Sequence, residues 1–309
     1  MCAAAKGEGL FIAAVVFTVT PWPGGRYCQA AFIVRMPFAR RNLRQRRAPV
    51  KNSRTGEKNR EGIWMSAEIT NHEFAVREED GIAHVDLNRP DDGNAMTRHM
   101  MTKIAALVTE LAHKPDIRVV ALEARGTHFC RGRDASGEPK DLSAYDMRHK
   151  SFQPVLGTYS AFMEAPVPVV ALVQGSAVGF GAAMAAACDV TLASDAARFS
   201  FPEIKHGIPP TLAMSALGPR LHPKTLSYLI YSGEEISAQE AVTFGLASTV
   251  YPKASFERDA AAFLKTMASR PRLILETIKK YQTRLPELSP SMATEYAGTL
   301  MAVFRTAGK

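Results

Sequence analysis

The sequence predicts an α/β fold: a sheet with helical crossovers, followed by a helical C-terminal module. Three observations predict it. Between residues 72 and 193, short apolar stretches of strand length alternate with helical patterns. One of them, VVALV at 169–173, is a continuous apolar run, the mark of a strand buried on both faces. After Pro210, helical periodicity dominates to the end of the chain. No internal repeat is visible.

In order from Met65, residues 72–78 alternate apolar and polar, Asp80-Gly81 signals a turn, and 82–87 alternate again, which predicts a hairpin. Asn88-Arg89-Pro90 ends it. An amphipathic helix is predicted over 97–113, its stripe formed by Met100, Ile104, Leu107, Val108 and Leu111. A buried strand follows at 118–123, then a loop rich in Gly, Arg and Asp over 126–140, then a mostly helical segment over 141–162. Beyond the 169–173 strand come a helix of small residues and a second apolar run, 190–193. Six helices are predicted over 211–217, 223–232, 238–244, 255–269, 271–284 and 289–305.

The 309 residues are 46% hydrophobic, enough for a sizeable core, and no apolar run reaches the roughly 18 residues of a membrane-spanning helix. The net charge of +8 is unevenly placed. Residues 1–64 hold twelve Lys/Arg and three Asp/Glu, which leaves 26 basic and 27 acidic residues in 65–309. The globular part therefore offers no hint of a nucleic-acid-binding face. Three readings meet residues 1–64: a signal peptide, which Glu8 and the single Lys6 fit poorly; an Arg-rich, acid-poor organelle transit peptide; or sequence upstream of a start at Met65. The abrupt opening of the patterned region at Met65 favours the last, and the segment is expected to be a disordered basic extension. Of four cysteines, Cys2 and Cys28 lie in it. Cys130 and Cys188 form no CxxC pair or Cys/His cluster, so neither zinc nor a disulfide framework is expected. This fits a reducing, cytoplasmic setting.

The most informative stretch is 168–209, PVVALVQGSAVGFGAAMAAACDVTLASDAARFSFPEIKHGIP. A helix that starts with Ala177, Gly179, Gly181, Ala182 and Ala183 lets a ligand or another backbone come close. Its first amides have no partner inside the helix and carry the positive end of its dipole, which suits an oxygen that becomes negative in a reaction. Glu203 stands between Pro202 and Ile204, behind Phe199 and Phe201, a setting that desolvates a carboxylate and raises its pKa as a base requires.

Five motifs here are similar to one family. Residues 82–95 carry a strand, Asn-Arg-Pro and Asn-Ala. VVALEARGTHFCRGRDA (119–135) resembles a strand followed by an F-[SC]-x-G-x-D loop. Residues 173–189 resemble a V-x-G-x-x-x-G-G-G helix start, Pro202-Glu203-Ile204 a Pro-Glu element, and YSGEEISA (231–238), with Gly245-Leu246 and Pro252, a closing signature. In register over about 73–271, they resemble the crotonase (enoyl-CoA hydratase/isomerase) superfamily. The resemblance implies a spiral of ββα turns with a helical trimerisation region, a core over 65–254, and an oligomerisation region over 255–309. It also implies acyl-CoA thioester substrates, a homotrimer or homohexamer, and no metal or redox cofactor beyond the coenzyme A of the substrate.

By the same resemblance, the backbone N–H groups of Arg133, after Gly132, and of Phe180, between Gly179 and Gly181, form an oxyanion hole for the thioester carbonyl. Such a donor is worth about 3 kcal/mol. Phe180 stands where the family usually has Gly, and its ring is expected to wall the acyl pocket. Family hydratases carry two glutamates; Ala183 occupies the position of one and Glu203 that of the other. One carboxylate still suffices to take a proton α to the thioester and return it at the γ carbon, so isomerisation or another one-base reaction is favoured over hydration. His206, three residues beyond Glu203, is a candidate to orient it or to act as a second acid. Arg89, Arg131, Gly132 and Asp134 are candidates for coenzyme A, since arginine forks match phosphate. The 207–212 stretch, GIPPTL, departs from the family's glycine-rich version. Cys130 reads as core. The rivals are a thioester hydrolase or lyase on the same scaffold and a non-catalytic RNA-binding or scaffold homologue.

Overall fold

The computed structural model describes residues 15–21, 27–33, 69–70, 72–137 and 141–307. The chain divides into two units, Met1–Thr55 and Gly56–Lys309. In the first, where disorder is expected, β1 (Val15–Pro21) pairs antiparallel with β2 (Tyr27–Ile33). The β-branched run Val15, Val16, Thr18, Val19, Thr20 supplies the strand propensity. The Arg-rich 35–60 stretch and the Met65 start lie outside the described residues.

The second unit is built on a seven-stranded sheet. Its order is β13 (Thr249–Tyr251), β10 (Val190–Ser194), β8 (Val169–Val173), β6 (Val119–Ala124), β5 (Ile82–Leu87), β4 (Phe74–Glu79) and β3 (Ile69–Thr70). The strands from β13 to β5 are parallel; β4 and β3 add antiparallel pairs. The β4–β5 hairpin turns at Asp80 and Gly81, both at positive φ (51° and 82°), the geometry of a two-residue turn that matches strand twist. A second sheet runs β12 (Ile236–Ser237), β11 (Arg198–Ser200), β9 (Ser176–Val178), β7 (His128–Cys130).

The connectivity repeats. The pairs β6–β7, β8–β9 and β10–β11 each send a first strand into the large sheet and a second into the small one, before helical structure follows. This is the expected ββα turn. In the first turn, between β5 and α1 (Arg98–His113), the second strand shrinks to one parallel bridge, Met96 with Arg133. Strands of three residues are too short to show a period, so the 126–140 stretch reads as loop in the sequence although it contains β7, and β9 leaves no signal either.

Strand alternation divides the core in two. Val120 and Leu122 of β6, with Val169, Ala171 and Val173 of β8, face the main cluster around α1, α3 (Gln153–Glu164) and α4 (Phe180–Ala187). Val119 and Ala121, with Val170 and Leu172, face Phe256, Ala260, Leu264 and Ala268 of α8 (Phe256–Ala268). That double coverage is why 169–173 reads as a continuous apolar run. It also means that the expected boundary at 254/255 cuts through the core: α8 closes the sheet's second face.

The remaining helices are α2 (Ala144–Asp146), α5 (Thr211–Leu217), α6 (Pro223–Ser232), α7 (Ala238–Thr243), α9 (Arg272–Arg284) and α10 (Pro290–Thr306). Polar bonds anchor α9. Its Lys279 is 3% exposed and donates to Asp189 Oδ2 at 2.5 Å and to the Phe162 carbonyl at 2.9 Å. Arg272 donates to the carbonyls of Ala112, Lys114 and Ile117 at the end of α1. By contrast, α10 buries no residue. Among the described residues, no helix is long and apolar enough to cross a membrane.

Candidate active site

The two loops flagged by the sequence meet in a cavity of about 460 Å³. Its lining brings together residues 131–133, Val178, Gly179, Phe180, Pro202, Glu203 and His206, with Val155 and Tyr159 of α3.

Glu203 is placed by a short 3-10 turn, Pro202–His206, which starts on a proline and stops at Gly207 in the left-handed region (φ 71°). Residues three apart eclipse one another in such a turn, so Glu203 and His206 share a side and line the same cavity. Burial pushes the Glu203 carboxyl above its ordinary range; its own backbone and the charge of His206 offset this only in part. Its Oε2 is buried without a hydrogen-bond partner. Among the described residues, Glu203 is also the only carboxylate in the lining.

Gly179 has φ 52°, and a Cβ added there would sit 2.7 Å from Glu203 Oε1. The glycine therefore does two things. It makes the turn from β9 into α4, and it lets the carboxylate lie against the start of that helix. Phe180 is the first residue of α4, where a backbone N–H has no partner within its own helix. Across the cavity wall, Met96 N donates to Gly132 O and Asp134 N donates to Met96 O, both at 2.9 Å. In that pattern the N–H of the intervening Arg133 points to the other edge of the segment. Gly132 (φ 109°) allows this chain to pass close to the Val178 carbonyl.

The Phe180 ring is buried and stacks on Tyr159, with centroids 5.6 Å apart and planes at 25°. Tyr159 was not singled out from the sequence, although its spacing from Val155 and Phe162 put it on the core face of a helix. Burial first, and then the charge of Glu203, raise the pKa of its phenol. Ala183 is fully buried one turn into α4 and is not among the residues that line the cavity. Gly181 is not part of the lining: a Cβ there would collide with the Cys130 carbonyl, so this glycine packs α4 onto β7. Cys130 itself is buried, and burial pushes its thiol up to about 12, as befits a core residue.

The coenzyme A candidates separate. Arg131 and Gly132 line the cavity; Arg89 and Asp134 do not. The Arg89 guanidinium donates to the Ala95 carbonyl at 3.0 Å and to Asp92 Oδ2 at 2.5 Å, and it lies 3.7 Å from Asp134 Oδ2. Asp134 accepts from Ser136 N at 2.9 Å and Ser136 Oγ at 2.5 Å, bonds that lower its carboxyl pKa. Both residues hold their own loops. The Arg133 side chain is occupied as well, donating to Ser151 Oγ at 2.6 Å.

A small-residue helix start, a desolvated carboxylate and a ββα spiral together define a crotonase-type α/β protein. The family model for enoyl-CoA hydratase/isomerase matches residues 77–300, and the chain belongs to that family. It is 30% identical over 222 residues to enoyl-CoA hydratase domain-containing protein 3, mitochondrial, of Rattus norvegicus, covering 72% of this chain and 73% of that one. It is also 30% identical over 225 residues to the probable enoyl-CoA hydratase echA8 of Mycobacterium tuberculosis, covering 71% and 86%. Among solved structures, an enoyl-CoA hydratase of Mycobacterium smegmatis superposes with a TM-score of 0.72 at 27% identity, covering 76% and 91%. The human enoyl-CoA hydratase domain-containing protein 3 gives 0.70 at 26%, covering 74% and 90%.

Proposed function

We propose that this chain is a one-base acyl-CoA enzyme that shifts the double bond of an enoyl-CoA. The observation that carries the reading is the desolvated carboxylate of Glu203 against the start of α4, the one carboxylate among the described residues of the lining; the family resemblance, which gives Ala183 the position of a second glutamate, supports it. Glu203 takes the proton α to the thioester of a 3-enoyl-CoA. The electron pair of that C–H bond moves toward the carbonyl, whose oxygen becomes negative and is held by the N–H groups of Arg133 and Phe180. The same carboxyl then returns the proton at the γ carbon, and the double bond ends between the α and β carbons. No water is consumed and no atom is lost. Arg131 meets the phosphates of coenzyme A at the mouth.

The test is to incubate the protein and its Glu203→Gln variant with 2-enoyl- and 3-enoyl-CoA esters and follow mass and absorbance. Interconversion without a mass change, lost in the variant, is the expected result. A gain of one water makes the enzyme a hydratase, with His206 the first candidate for the second proton relay. Binding without either reaction points to thioester hydrolysis or lyase chemistry, and no binding at all to a non-catalytic homologue.

A homotrimer or a dimer of trimers fits the family's habit, and the unburied α10 is the surface that would serve it. As for compartment, the rat relative is named mitochondrial and residues 1–64 are Arg-rich and acid-poor, which supports an organelle address over the cytoplasm. A fluorescent protein fused behind residues 1–64 tests it: import supports the address, and a diffuse signal restores the cytoplasmic expectation.

A further inference from the structure

Beside the catalytic cavity lies a second depression, of about 480 Å³, between the 207–211 stretch and α6. Ile208, Pro209 and Pro210 line both. The second depression is apolar: Ile204, Met214, Leu226, Ile230 and Tyr231 complete most of its wall, and among the described residues no Asp, Glu, Lys, Arg or His lines it. Three of the large apolar residues there face solvent, Ile204 at 39%, Ile208 at 56% and Tyr231 at 77% exposure. A contiguous apolar patch beside a reaction cavity needs an occupant.

From these observations, and resting on the acyl-CoA reading above, we infer that the groove along α6 holds the distal part of a long acyl chain. The enzyme's substrates are then CoA esters whose chains outgrow the catalytic cavity. The segment that separates the two spaces is where this chain departs from the glycine-rich pattern of its family. Two prolines fix its backbone. Ile208 N donates to the Glu203 carbonyl at 3.0 Å, Thr211 N to Pro209 O at 2.9 Å and Met214 N to Pro210 O at 3.0 Å. The rim is therefore preformed, which limits the ordering cost of binding. A chain whose thioester lies against the start of α4 meets the apolar side chains of Ile208, Pro209, Pro210, Leu212 and Ala213 in the cavity and passes over the rim at Ile208 into the groove. Ile208, Pro209 and Pro210 form a wall common to groove and cavity, and this adjacency to the thioester site is what favours an acyl chain over a second protein copy as its occupant.

The experiment measures binding of saturated acyl-CoA esters from four to sixteen carbons by calorimetry. It uses the full chain and a Ser227→Asp, Tyr231→Asp double variant. Both positions are exposed, one turn apart on α6, and outside the catalytic cavity. In the unaltered protein, affinity should keep rising with length, by up to roughly fourfold per methylene buried. In the variant the rise should stop earlier, with the sixteen-carbon ester bound at least tenfold more weakly and the four-carbon ester unchanged. Equal length profiles for the two proteins overturn the groove and leave the acyl-CoA reading standing. Failure of every ester to bind either protein overturns both. Sedimentation of the two proteins covers the remaining case: an assembly that dissociates in the variant with the length profile unchanged assigns the groove to a second copy, against the inference.

Discussion

The role proposed for Glu203 and a cost to stability both follow from its burial, and one titration reads both. Its pKa in the folded chain lies above that of an exposed glutamate because burial disfavours the anion. Between the unfolded and folded values, the native state binds more protons than the unfolded one, so stability falls as pH rises through that window. Glu203→Gln should therefore stabilise the protein at pH values above the raised folded pKa, and the gain should fade as pH drops from that value to the ordinary carboxylate value. Denaturant melts of both proteins across pH check this. The same substitution should lower turnover by about 10²–10⁴-fold. The acid limb of kcat/KM should sit above the ordinary carboxylate range, since only the anion is a base. Gly179→Ala attacks the same pair from the other side. A methyl group 2.7 Å from Oε1, at φ 52°, displaces the carboxylate and strains the turn. The expected result is a loss of activity together with about 1–3 kcal/mol of stability, measured by urea unfolding.

At the scale of elements, α9 is held mainly by buried charge. Lys279 and Asp189 lie under the helix, with Arg220 3.8 Å from the other Asp189 oxygen. Desolvation lowers the Lys279 pKa and the Asp189 charge opposes that. Lys279→Met leaves Asp189 buried with one distant cation. It should destabilise the protein by about 3–5 kcal/mol in equilibrium unfolding, whereas replacing both partners with apolar residues should recover much of the loss. Neither Lys279 nor Asp189 was legible as a latch, because the partners are 90 positions apart. The longer elements were legible for a local reason. Helix α1 starts where Thr97 accepts from Met100 N, and its stripe is the one the periodicity gives. The helices 211–217 and 223–232 have the bounds expected from Pro210 and Gly233. Site residues were legible where a motif fixed the backbone, as at Gly132, Gly179 and Glu203. They were not where tertiary packing decides: Tyr159 entered the cavity and Arg89 left it through contacts that no spacing encodes.

For the whole molecule, the unburied α10 makes a prediction that separates assembly from folding. Met292, Met301 and Val303 are all more than half exposed on it. Charged substitutions at these positions should lower the oligomeric order seen by sedimentation while leaving monomer stability within about 0.5 kcal/mol, because surface changes away from packed contacts have small effects. A fall in stability without a change in mass would instead mean that α10 supports its own chain.

The position of α8 sets a timetable for the protein's birth. The apolar strip of Ile82, Val119, Val170, Leu172 and Leu192 is complete once residue 192 has been made, but the helix that covers it ends at Ala268. At roughly 5–20 residues per second, synthesis leaves that face of the sheet open for several seconds. During that interval a nascent chain displays parallel strands with one bare side, the kind of surface chaperones bind. A translation pause placed before residue 256 should increase aggregation, and the same pause after residue 268 should not.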